Sequence, residues 1–205
     1  MANTAVGEVA IYVDGQEYTL RPSFAAMQEL GTPDDIQAKL SKCMAALHAE
    51  HVTVWDLAAC YSVIAACGGA DIPDSWVGTI AFDDNEKAYW TEGHDPHASL
   101  IVIANHLLSY GIAGKPSRAR LRKAANAKPS DSKALFDPLE YVGAAIAHLG
   151  LNKDDAWNLT MVEFQRAIDA KYPPEDPKKE QSYMSADELR NLKRKVGKAS
   201  ATARS

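Results

Sequence analysis

Between positions 94 and 106 the chain gathers His94, Asp95, His97 and His106, residue types that can complete a tetrahedral zinc site when three or four converge. Their spacing argues against a site. Pro96 interrupts the segment, and residues 97 and 106 fall on different faces of the helix predicted there, so a surface or capping role is expected, with no metal and no cofactor. Cys43, Cys60 and Cys67 are odd in number, lack C-x-x-C spacing and lie in helical apolar patterns, which predicts reduced core thiols. Neither G-x-S-x-G, nor a cysteine flanked by the glycines and histidine of nucleophilic sites, nor a G-x-x-x-x-G-K phosphate loop is present. No enzyme is expected.

Basic residues pose the other chemical question. Arg118, Arg120, Arg122 and Lys123, with Lys193, Arg194, Lys195 and Lys198 further on, could neutralise phosphates, which makes a nucleic-acid-binding adaptor using the 118–123 helix the alternative function. No aromatic lies among them to stack bases, and the net charge of -5 is acidic. The plainer reading is a solvated helix face, and a third is that the charges set the register of a long helical partner. A protein partner is therefore expected. The 205 residues suffice for a real hydrophobic core, and no apolar run approaches the ~18 residues of a membrane span. The chain starts without a basic lead and apolar core, so a soluble, unexported protein is expected.

The elements that must position these residues can be read in order. Val9, Ile11 and Val13 alternate with Ala10 and Tyr12 before Asp14-Gly15, Tyr18 and Leu20, which predicts a β-hairpin. Ser23 caps a helix carrying Phe24, Met27 and Leu30, closed by Gly31. Thr32 to Asp35 starts a second helix, and Thr53 with Asp56 caps a third whose Trp55, Leu57, Tyr61, Val63 and Ile64 make it the candidate central helix. From Asp71 to Gly93 the reading stays open: Trp76, Val77, Ile80 and Phe82 fit a helix or a short strand, with a turn at Asp83–Glu86. Asp95-Pro96 begins a helix through Leu100, Ile103, Leu107 and Tyr110 that Gly111 should stop. After a Pro/Ser/Lys linker at 127–133, Asp137 caps a helix through Leu139, Val142, Ile146 and Leu149. Ser185 with Glu188 caps a last amphipathic segment too short to stand alone.

From Gly150 to Tyr172 the pattern is a helix-turn-helix. Asn152 caps a first turn containing Asp154 and Asp155, Trp157 sits at the corner, and Thr160 with Glu163 makes a capping box. Met161, Phe164, Ile168 and Tyr172 then share one face, which either packs on the preceding helix or meets a partner. Here the chain resembles a family. Leu149-Gly150-Leu151, Asp155, Trp157, Leu159-Thr160 and Glu163-Phe164 look like the signature of phage tail assembly chaperones. Tyr18, Leu20-Arg21-Pro22-Ser23-Phe24 and Ala26 resemble the opening of the tail-assembly protein of gene transfer agents, where a strand pair runs into the first helix.

The resemblance implies a chaperone that binds and solubilises the tape measure protein of a long-tailed phage and helps recruit tail tube subunits, in the host cytoplasm and absent from the mature virion. Its partners would be the tape measure protein and the tail tube protein, with further copies of the chain as another candidate. The residues carried over as partner-binding are Trp157, Leu159, Thr160, Glu163, Phe164, Ile168, Tyr18, Leu20 and Phe24. The expected architecture is mainly α with an N-terminal β-hairpin, an α+β fold: a helical body over 1–126, a C-terminal three-helix unit over 134–172 and a flexible tail over 173–205.

Overall fold

The computed structural model describes residues 1–69, 72–93, 97–114 and 135–173. It opens on an antiparallel hairpin of β1 (Val9–Val13) and β2 (Gln16–Leu20), with Val13 paired to Gln16 across the two-residue turn. Asp14 and Gly15 both have positive φ, 51° and 81°, the backbone that suits the twist of the flanking strands. Ile11, Val13 and Leu20 are buried, whereas Tyr12 points to solvent.

The next three helices begin where their caps predict. The Ser23 hydroxyl accepts the Ala26 N–H at 3.2 Å to start α1 (Phe24–Glu29). Reciprocal capping boxes, Thr32 with Asp35 and Thr53 with Asp56, start α2 (Pro33–His48) and α3 (Val54–Gly68). α3 packs against α1, α2, β2 and a later helix, α5 (His97–Leu108), and buries Leu57, Cys60, Val63 and Ile64 in the larger of two cores. It is not covered all round. Trp55, half a turn of the helical wheel away from Ile64, remains 59% exposed.

Both open readings of residues 71–93 are realised, one after the other. A single helical turn, α4 (Asp74–Val77), buries Trp76 and Val77, and the chain then becomes the antiparallel pair β3 (Gly78–Phe82) and β4 (Ala88–Glu92). Gly78, at φ 86°, makes the change of direction. The turn at 83–86 is held by the Asp83 carboxylate, which accepts the N–H groups of Asn85 at 2.9 Å and Lys87 at 2.8 Å. β4 had no counterpart in the sequence reading, because adjacent aromatics at Tyr89 and Trp90 hide the alternation. Only Trp90 turns inward, its ring 6.0 Å from that of Tyr61.

One helix end departs from expectation. Gly111 does not stop α5; the helix runs on through a π-type turn, Ser109–Ala113, and ends at Gly114 with φ 67°. Gly111 is buried in that turn, where an added Cβ would lie 2.7 Å from Met27 Sδ, so its lack of a side chain serves the approach of α1. The later helix α6 (Pro138–Ala144) likewise continues through a π-type turn, Ala145–Leu149, to Gly150 at φ 72°. It buries Val142 and Ala145, while Leu139 and Ile146, expected on the core stripe, are 57% and 41% exposed. α7 (Lys153–Asn158) and α8 (Met161–Lys171) follow, each opened by its predicted cap.

The fold class is therefore α+β, mainly helical, with an N-terminal hairpin. The chain divides into two units, Met1–Tyr172, which is compact, and Pro173–Ser205. Inside the first, α1 packs on α6 and α7 across the boundary expected near residue 130. Phe24 consequently completes the core of the 134–172 helices. The basic segment 118–123, the linker 127–133 and the last segment 185–196 lie outside the described residues. Among the described residues no helix is long and apolar enough to cross a membrane.

Candidate partner-binding site

The two stretches that carry the resemblance, more than a hundred residues apart in sequence, meet in space. Phe24 N–H donates to Leu159 O at 2.9 Å, and Ser23 and Thr160 form an isolated antiparallel bridge. Two helix N-termini thereby meet cap to cap: Ser23 opens α1, Thr160 opens α8, and the backbone bond between them runs from Phe24 N–H to Leu159 O beside the two caps.

Arg21 locks the junction. Its guanidinium reaches Glu163 Oε2 at 2.7 Å, donates twice to Asn158 O at 3.0 and 3.1 Å, and pairs with the Glu8 carboxylate. Glu163 Oε2 also accepts the Thr160 N–H at 2.8 Å, so the capping box of α8 and the ion pair share one oxygen. Glu8 in turn accepts the Asn3 N–H at 2.7 Å, which ties the start of the chain to the same point. Burial works against the guanidinium charge, but the hydrogen bonds to Glu163 and Glu8 outweigh it and raise the Arg21 pKa. Below this network, Phe24 stacks on Tyr141 at 5.7 Å and meets Phe164 edge-on at 6.0 Å, and Tyr141 meets Phe164 edge-on at 5.5 Å.

Removing the fork should be measurable. Arg21→Met would leave two partly buried carboxylates unpaired; discounting for the third of the side chain that solvent reaches, we expect a loss of about 1–2 kcal/mol in urea unfolding. Arg21→Lys should recover only part of it, because one ammonium cannot reproduce the planar fork. Full recovery by lysine would show that charge alone, rather than geometry, closes the junction.

The structure sorts the expected partner-binding residues into two groups. Leu20 is buried in the larger core, whereas Phe24, Thr160 and Phe164 are buried at the junction and as folded hold it from inside. Trp157, Leu159, Glu163 and Ile168 are half-buried beside it, whereas Tyr18, also half-buried, packs on the larger core and does not join them. Sequence reasoning missed Glu8, Asn158 and Tyr141. Nothing at 8 or 158 marks a partner for Arg21, since that pairing exists only after the chain has doubled back.

The other chemical candidates end differently. His94 and Asp95 lie outside the described residues, while His106 stacks on Tyr110 with ring centroids 4.5 Å apart. Among the described residues no group of three or more His, Cys, Asp or Glu could hold a metal ion. The three cysteines are free and buried.

Fold and junction together define a mainly helical α+β protein whose hairpin exit is pinned to the capped corner before its final described helix. The chain belongs to a family of unknown function (DUF6246), whose model matches residues 39–186, more than half of its length. That match takes in α8 and its capping box and leaves the hairpin and α1 outside. No curated protein and no solved structure matches.

Proposed function

We propose that this protein is a phage tail assembly chaperone that keeps a long helical tape measure protein soluble and helps bring tail tube subunits to it, without remaining in the finished particle. The observation that supports this reading best is the junction itself: the hairpin-to-α1 stretch and the Trp157 to Phe164 stretch, which carry separate resemblances to tail assembly proteins, form one packed site. A tape measure chain presents a long apolar stripe that aggregates unless covered, and helix-in-groove contact is the common way to cover one. Apolar side chains that such contacts use are exposed on several helices, among them Met44 and Leu47 on α2, Trp55 on α3 and Leu139 on α6.

Trp157, half-buried at the corner before Thr160, is the residue whose loss separates contact from support. Co-expression with the long helical tail protein should raise the soluble fraction of that protein. A Trp157→Ala variant that still unfolds cooperatively should lose about 2 kcal/mol or more of binding, as an interface hot spot does. If the folded variant solubilises the partner as well as the natural chain, the corner does not bind it; if the natural chain itself gives no gain in solubility, the chaperone reading fails.

A further inference from the structure

We propose that Cys43 and Cys60 are a modification site: a pair of thiols poised to close into a disulfide between α2 and α3 when the protein meets a peroxide. Their Sγ atoms are 3.6 Å apart and both residues are fully buried. A disulfide has an S–S distance of about 2.05 Å, so closure asks for an approach of about 1.5 Å. The helices are already close there. Ala46 and Ala59, small and buried, lie on the same two helices beside the pair and allow the backbones to near one another. Cys67, also buried, has no such thiol neighbour among the described residues.

The two sulfurs are not equivalent. Cys60 S–H donates to Cys43 Sγ, and this hydrogen bond lowers the Cys43 pKa against the opposing effect of burial, while the same bond and burial raise that of Cys60. Cys43 is thus the sulfur that reacts first. Its thiolate attacks one peroxide oxygen, the O–O bond breaks, and a sulfenic acid forms as hydroxide leaves. Cys60 Sγ then attacks the sulfenic sulfur, the S–O bond breaks, and the thiol proton leaves with the oxygen as water. In total two thiols and one peroxide give one disulfide and two waters.

Neither thiol reaches the surface. A groove of about 340 Å³ between α2 and α3 is lined by Lys42 and Ala59, the immediate chain neighbours of the two cysteines. Reaction therefore requires the two helices to part far enough at this groove to admit hydrogen peroxide. Once formed, the bond would tie the two helices across the α2–α3 connection and restrict the unfolded chain, so the oxidised protein should melt at a higher temperature.

The test uses the full chain. After treatment with hydrogen peroxide and alkylation under denaturing conditions, peptide mapping should find Cys43 linked to Cys60 with the loss of two hydrogen atoms, Cys67 alkylated, and the melting midpoint raised. Cys67→Ala should leave the link intact. In Cys60→Ser, which keeps a hydrogen-bond donor but cannot close the disulfide, dimedone should trap the sulfenic acid on Cys43. If Cys43 and Cys60 of the folded natural chain stay fully alkylatable after peroxide, or if any link formed runs to Cys67 or to another copy, the assignment is overturned. Because the mapping is done on the natural chain, a variant that fails to fold cannot obscure the result.

Discussion

Replacing Phe24 with Ala is expected to cost about 3–5 kcal/mol, the usual loss for a buried aromatic truncated in a packed core. The residue is fully buried and belongs to the smaller core with Val142, Ala145, Ala156, Met161 and Phe164, whereas Ala26, Met27 and Leu30 of the same short helix belong to the larger one. α1 therefore serves both cores at once. Emptying its Phe24 side leaves Tyr141 and Phe164 without their shared ring partner, so the loss should be concentrated in α6, α7 and α8. Chemical unfolding gives the magnitude and hydrogen exchange gives the place. A loss below about 1 kcal/mol would mean that the site collapses to fill the gap and that the junction rests mainly on Arg21.

Gly78→Ala is the second large effect. The residue sits at φ 86°, where an L side chain costs about 1–2 kcal/mol, and an added Cβ would lie 2.2 Å from the backbone oxygen of Thr91. Backbone cannot swing aside as a side chain can, so an overpacking cost of about 1–3 kcal/mol adds to the strain. A total of about 2–5 kcal/mol follows, with loss of amide protection across β3 and β4 rather than across the junction. Uniform loss of protection over α1 and α8 would instead show that the second hairpin supports the whole unit.

These two effects bear differently on function. Phe24→Ala should remove any activity that depends on the junction by dismantling it, and so cannot by itself identify a contact. Gly78→Ala should leave Trp157 and Ile168 in place. A tape measure partner that is still solubilised by Gly78→Ala and lost with a folded Trp157→Ala variant would locate the contact at the corner before α8.

Local chemistry in the sequence determined the beginnings of elements. Ser23, Thr32, Thr53, Asp137, Asn152 and Thr160 each accept the backbone N–H that their position predicts, and Asp14-Gly15 makes its two-residue turn. A cap needs only residues within one helical turn, so its signal survives in the chain itself. Which apolar face is covered was decided by tertiary structure. Val142 is buried and Leu139 exposed on the same helix, and Trp55 stands in solvent on the helix that forms the larger core, because burial depends on where the neighbouring elements arrive. The type of Gly111 alone predicts a stop, yet its place against Met27 is set by a helix more than eighty residues earlier. The junction shows the division most clearly. The sequence contains both stretches, each with its own cap, but the sharing of Glu163 between the Thr160 cap and Arg21 arises only when folding brings β2 beside α8, since ion pairs across such separations leave no periodicity to read.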